Sequence, residues 1–134
     1  MKGFITTILM CFSIFGLGAQ EKAGFRSVGA LEFAEYASTT EVVLLDVRTS
    51  EEHEEGCIPG TDLNIDVLDS SFKDEALRLI PEGSKVALYC RSGNRSKSAS
   101  RILASCGYEV VELGSGYRGW VSAGRPSCER NNND

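Results

Sequence analysis

Three short apolar runs, residues 42–47, 85–89 and 109–113, alternate along this chain with segments whose apolar residues recur at helical spacing. The first, Val-Val-Leu-Leu-Asp-Val, is apolar on both faces, as in a strand buried within a parallel sheet. Strands alternating with helices are joined by right-handed crossovers and give a parallel sheet covered by helices on both faces. The fold class expected is therefore α/β. Ligands of such sheets bind beyond the carboxyl ends of the strands.

The intervening segments carry their own punctuation. Ser27 is suited to cap a helix that turns Ala30, Phe33, Ala34 and Ala37 inward. Thr49 or Ser50 caps a short acidic helix ending at Gly56, and Pro59-Gly60 makes a turn before a short strand at 63–65. A helix over 72–80 places Phe72, Ala76, Leu79 and Ile80 on one face, with Pro81 beyond its end. A later helix turns Ala99, Ile102, Leu103 and Cys106 inward and ends at Gly107. Residues 117–123 form a last short helix around Trp120.

At 134 residues the length fits one domain with a single core. Lys2, an uncharged stretch over 4–17, and Gly18-Ala19-Gln20 before Glu21-Lys22 have the layout of a secretory signal peptide. Cleavage is expected near 18–20, making residues 1–20 a leader rather than a retained anchor. The expected location is exported, periplasmic or secreted. The mature part carries 13 basic and 19 acidic residues, a net of −6, a poor match to nucleic acid or to an anionic membrane. Cys57, Cys90, Cys106 and Cys128 remain, without metal-ligand spacing, and the one histidine, His53, lies in an acidic run. No metal and no cofactor is expected. An oxidising compartment favours disulfides, whose pairing the sequence leaves open.

The candidate chemistry lies where the apolar run 85–89 passes into Cys90-Arg91-Ser92-Gly93-Asn94-Arg95-Ser96 and then into a helical pattern. A cysteine at such a junction faces unpaired backbone N–H groups and a helix N-terminus, which favour its thiolate. Arg91, Arg95, Lys97 and Arg101 add four positive charges within eleven residues of an acidic chain. Gly93 permits the positive φ of a tight loop, and Ser96 is positioned to cap the following helix. Asp46 and Arg48, at the end of another strand, are expected on the same edge of the sheet, as supports rather than reactants. No histidine stands near Cys90 as a general base, so protease or acyl-transfer chemistry is not expected.

With these landmarks the chain resembles a single-domain rhodanese, a thiosulfate sulfurtransferase-like module, over about 25–126. The resemblance rests on Asp46-Val47-Arg48, Glu51-Glu52-His53, Gly56-Cys57-Ile58-Pro59-Gly60, the Cys90 loop, Leu113-Gly114-Ser115-Gly116, Trp120, Gly124 and Pro126. It implies a five-stranded parallel sheet in a domain spanning 21–128, with a polar tail over 129–134. It also implies Cys90 as the nucleophile that carries sulfur as a persulfide, cradled by the amides of Arg91 to Arg95. Arg91, Ser92, Gly93, Asn94, Arg95 and Ser96 are the persulfide- and substrate-binding residues expected, with the Arg91 and Arg95 side chains holding the persulfide and attracting the anionic donor. The implied partners are a small anionic donor such as thiosulfate and a thiol or cyanide acceptor, with a protein acceptor possible. Phosphatase relatives of the family have a loop one residue longer. Here four residues separate Cys90 from Arg95, a ring suited to one extra sulfur atom rather than a phosphoryl group. A thiol-dependent phosphatase or arsenate reductase is thus the weaker reading, and a non-enzymatic sulfur carrier, sensor or docking module the main alternative. Where Cys57 and Thr61 stand, the family usually has histidine and alanine. This cysteine raises a pairing with Cys128, or exchange with an oxidised Cys90, beside the plain alternative of unpaired thiols.

Overall fold

The computed structural model describes residues 21, 22 and 24–129. The expected leader, 1–20, lies outside the described residues, as does the tail from 130 onward. The strands are β1 (Glu21–Lys22), β2 (Phe25–Val28), β3 (Val42–Asp46), β4 (Gly56–Cys57), β5 (Leu63–Asn64), β6 (Lys85–Tyr89), β7 (Glu109–Leu113) and β8 (Cys128–Glu129). The helices are α1 (Ala30–Ala37), α2 (Ser50–Glu55), α3 (Phe72–Leu79), α4 (Asn94–Ser105) and α5 (Gly116–Ser122). The main sheet runs β1-β2-β7-β6-β3-β5. Five of its strands are parallel, and β1 joins β2 antiparallel at the edge. The expected five-stranded parallel sheet is therefore present.

Period-two alternation along β6 divides the core. Val86, Leu88 and Cys90 face one apolar layer with Phe72, Ala76 and Ile80 of the α3 region and Ala99 and Leu103 of α4. Ala87 and Tyr89 face the other layer with Phe33 of α1 and Trp120 of α5. Phe33 is fully buried and meets both Tyr89 and Trp120 edge-on, with ring centroids 6.4 and 6.2 Å away. Truncating such a side chain to alanine typically costs about 3–5 kcal/mol.

Several local expectations are corrected. Ser27 caps no helix: it lies in β2, paired in parallel register with Glu112, and the N-cap of α1 is Gly29. Thr49, rather than Ser50, caps α2 through a reciprocal capping box with Glu52. Leu79 is 39 % exposed, because the chain leaves the helix at Ile80 and Ile80 takes the inward position. Ser96 is not a cap, since α4 starts from Gly93 without a side-chain cap and Ser96 is buried in its first turn. Cys106 turns inward as expected, half-buried and packed against the first apolar layer. Cys57 and Cys128 form a disulfide that joins β4 to the antiparallel β8, while Cys90 and Cys106 are free.

Candidate active site

Parallel register brings the strand ends together: Asp46 at the end of β3 lies opposite Tyr89 at the end of β6. Cys90 follows immediately, with its side chain 1 % exposed. The loop after it curls back until the Gly93 amide donates to Cys90 Sγ at 3.1 Å. Gly93 has φ of 102°, in the left-handed region, and a Cβ there would stand 2.2 Å from the Gly114 carbonyl oxygen. Only glycine serves both demands.

The start of α5 holds the other side of the loop. Tyr117 N–H donates to the Cys90 carbonyl at 2.8 Å, and Arg118 N–H donates to the Arg91 carbonyl at 3.0 Å. In a trans peptide the N–H points opposite to the C=O. The Arg91 and Ser92 amides in those same peptide planes therefore face away from α5. Gly116 permits this approach, since a Cβ there would lie 2.3 Å from the Arg91 carbonyl oxygen.

Asp46 and Arg48, expected as supports, are both buried and pair with each other. Arg48 Nε and Nη2 donate to the two Asp46 carboxylate oxygens at 2.9 and 2.7 Å, and Nη2 also donates to the Gly56 carbonyl at 2.7 Å. Its guanidinium lies 4.4 Å from the Tyr117 ring centroid and 5.3 Å from that of Tyr89. Burial works against this charge, but the hydrogen bonds and charge of Asp46 outweigh it and hold the Arg48 pKa above its ordinary value. His53 Nδ1 lies 2.9 Å from Asp46 Oδ2, so the carboxylate ties α2 to the same pair.

Arg95, expected to help hold a persulfide, is close enough to Cys90 for their charges to interact, and its hydrogen bonds go to α2. Its Nη1 and Nη2 donate to the two oxygens of Glu52 at 2.8 and 2.9 Å. This hydrogen-bonded arginine lowers the Glu52 pKa to about 2, against the opposing effect of burial and with help from the Thr49 amide. Ser96 turns from the sulfur, donating to Glu112 Oε1 at 2.5 Å. Ser92 and Asn94 are exposed on the outer side of the loop. Of the six loop residues singled out, only Gly93 contacts the sulfur by hydrogen bond among the described residues. Sequence reasoning missed Glu112 and the part played by Glu52. A lone carboxylate inside the apolar run Val110-Val111-Glu112-Leu113 was the signal for the first.

Beside the loop a cleft of about 350 Å³ is walled by Arg91, Arg118, Tyr117 and Val121 on one side and by Arg48, Glu52, Glu55 and Gly56 on the other. Cys90 lies one residue behind the Arg91 wall. Among the described residues neither Arg91 nor Arg118 is in an ion pair, and both line this cleft together with Glu52 and Glu55.

Fold and loop together define a class: a small parallel α/β domain that presents a cysteine-headed loop at the carboxyl edge of its sheet. Comparison with known proteins agrees. The model of the rhodanese-like domain matches residues 30–123. A sulfurtransferase of Allochromatium vinosum is 37% identical over 93 residues, covering 67% of this chain and 81% of that protein. Among solved structures, a rhodanese-related protein of Thermoplasma volcanium superposes with a TM-score of 0.66 at 29% identity, covering 78% of this chain and 98% of the other. The thiosulfate sulfurtransferase of Pseudomonas aeruginosa gives 0.63 at 26% identity, covering 82% of this chain and 20% of that one. The chain belongs to the rhodanese-like domain family. These matches support sulfurtransferase activity as its general class.

Proposed function

We propose that the protein moves sulfane sulfur from a small anionic donor such as thiosulfate to a thiol or cyanide acceptor through a persulfide on Cys90. The observation that carries this reading is the Gly93 amide aimed at Cys90 Sγ, in a loop that ends β6 and opens α4. A hydrogen-bond donor fixed on the sulfur favours negative charge there without a general base. In the first step the Cys90 thiolate attacks the outer sulfur of thiosulfate. The new Sγ–S bond forms, the S–S bond of the donor breaks, and sulfite leaves with the bonding pair. In the second step the acceptor attacks the outer sulfur of the persulfide, giving thiocyanate from cyanide or a new persulfide from a thiol, and returns the thiolate. Arg91 and Arg118 attract the anionic donor at the cleft. Arg95 ties the loop to α2 through Glu52.

Incubation with thiosulfate and then cyanide, comparing the wild type with Cys90→Ser, tests this. Thiocyanate from the wild type alone is the result expected, and none from either protein overturns it. Turnover of an aryl phosphate by the wild type would instead favour the phosphatase reading.

The working compartment is proposed to lie outside the cytoplasm. The leader-like N-terminus supports this, and so does the Cys57–Cys128 disulfide, a bond that persists where thiols are not kept reduced. Fractionation of the host, following the mass of the chain, checks both export and cleavage near 18–20.

A further inference from the structure

Glu112 is the fourth residue of β7 and is fully buried, 0 % exposed. A buried carboxylate persists only when charge-paired and hydrogen-bonded. Its Oε1 accepts from Ser96, and its Oε2 accepts from the Ser27 hydroxyl and pairs with Lys97 Nζ at 3.2 Å. Lys97 does not stop at Glu112. The same ammonium donates to the Gly93 carbonyl at 3.0 Å. Gly93 is the residue whose amide meets Cys90 Sγ. A continuous line of contacts therefore runs from the interior of β7 through Lys97 and Gly93 to the sulfur.

The two ends of Gly93 are thus held by different parts of the molecule. A glycine has wide backbone freedom, and an unheld one pays entropy to stay in a single conformation. Its carbonyl is held by Lys97, and a Cβ on it would stand 2.2 Å from the Gly114 carbonyl oxygen, so the backbone angles that aim the amide at the sulfur are restrained from the carbonyl side in a crowded place. Ser96 and Ser27 in turn hold the Glu112 carboxylate in one orientation, and with it the ammonium. A simple staple between α4 and β7 has no need of the second Lys97 contact.

We propose that Glu112 and Lys97 are positioning residues for sulfur transfer: Glu112 orients the Lys97 ammonium, and Lys97 anchors the Gly93 carbonyl, restricting the φ and ψ of Gly93 that keep its amide, in the preceding peptide plane, on Cys90 Sγ. This rests on the reading of Cys90 as the sulfur carrier. Neither residue touches the reacting atoms. Their effect falls on the stabilisation of charge at sulfur rather than on capture of the donor, so it belongs in kcat.

The test uses the full chain, 15N-labelled, as wild type, Cys90→Ser, Lys97→Met, Lys97→Arg and Glu112→Gln. Cys90→Ser marks how far the Gly93 amide proton moves when the sulfur is lost. Lys97→Met is expected to shift that resonance in the same direction, and Lys97→Arg to leave it near the wild-type position. In thiocyanate formation Lys97→Met is expected to lower kcat at least about fivefold, with the KM for thiosulfate changing less than about twofold and most of kcat recovered in Lys97→Arg. Glu112→Gln keeps a carbonyl acceptor for one serine, leaves the other to accept from the amide NH2, and loses the ion pair; it is expected to move both readouts the same way. A Gly93 resonance unmoved in folded Lys97→Met overturns the proposal, and so does a raised KM at unchanged kcat, which would make Lys97 a donor-attracting group. Because the side chain of Lys97 is 40 % exposed, its variants keep the test open even where Glu112→Gln does not fold. A wild type that makes no thiocyanate defeats the sulfurtransferase reading, while the amide shift still decides the positioning claim.

Discussion

Arg95 on α4 and Glu52 on α2 meet as a two-point ion pair, with both guanidinium nitrogens on both carboxylate oxygens. This pair closes the far end of the Cys90 loop against the helix that begins just after Arg48. Glu52 serves twice, since it also completes the capping box of α2. The arginine thus ties α4 to α2, the helix that contributes Glu52 and Glu55 to the cleft wall.

Arg95→Ala is expected to lower the rate of thiocyanate formation at least about tenfold, about 1.4 kcal/mol in the barrier. Arg95→Lys offers one contact where two are needed and is expected to fall between the two. Steady-state assays of the three proteins decide this. Equal rates for wild type and Arg95→Ala would reduce the pair to a surface contact.

The same pair has a pH signature. Glu52 titrates near 4.5 when unperturbed and near 2 in the folded protein, so folding favours its ionised form. Its stabilising contribution is complete above about pH 4.5 and is lost as pH falls toward about 2. The stability gap between wild type and Glu52→Gln, measured by urea unfolding, is therefore expected to be widest near neutrality and to narrow over that acid window. A gap that stays constant with pH would show that the side chain acts by shape alone.

Asp46→Asn leaves the buried Arg48 guanidinium without its counter-charge while keeping the shape of the site. Removing one partner of a buried pair commonly costs about 3–5 kcal/mol, and the amide, still an acceptor, places the expected loss near about 3. The readout is the urea midpoint at unchanged m-value. A loss under about 1 kcal/mol would mean that water reaches Arg48.

Gly93→Ala combines a left-handed φ with a Cβ forced onto the Gly114 carbonyl. It is expected to cost at least about 2 kcal/mol and to abolish sulfur transfer. Gly60→Ala is the control: φ is +90° there, but nothing lies within 4 Å of the new Cβ. That variant is expected to lose about 1–2 kcal/mol and keep its activity. Similar behaviour of both variants in activity would remove the special demand placed on the loop.

Much of the fold was legible because β3 and β6 are nearly unbroken apolar runs, β7 keeps Val110, Val111 and Leu113 beside its two glutamates, and Thr49 and Glu52 stand at capping-box spacing. β2 was not. Arg26 and Ser27 interrupt its apolar pattern, and its strand state comes from pairing with β7, a contact distant in sequence. The position of Cys90 was legible from a local strand–loop–helix junction, and the resemblance reinforced it. The partners of the loop were not. Glu52 reads as one more exposed acid in Glu51-Glu52-His53-Glu54-Glu55, and only the docking of α2 beside α4 turns it toward Arg95. The register of β7 decides that Glu112 meets Ser27 and Ser96, and no local pattern encodes that meeting.

The Cys57–Cys128 bond spans 71 positions, enclosing α3, β6, the Cys90 loop, α4, β7 and α5. Closing a ring of that size lowers the entropy of the unfolded chain by up to about 4 kcal/mol. It also ties the part of the candidate site inside the ring, the Cys90 loop and α5, to the segment carrying Asp46, Arg48 and Glu52 just before Cys57. A protease that nicks the exposed turn at Gly83 leaves two fragments still covalently joined, with Cys90 and Asp46 on opposite sides of the cut yet tethered to each other.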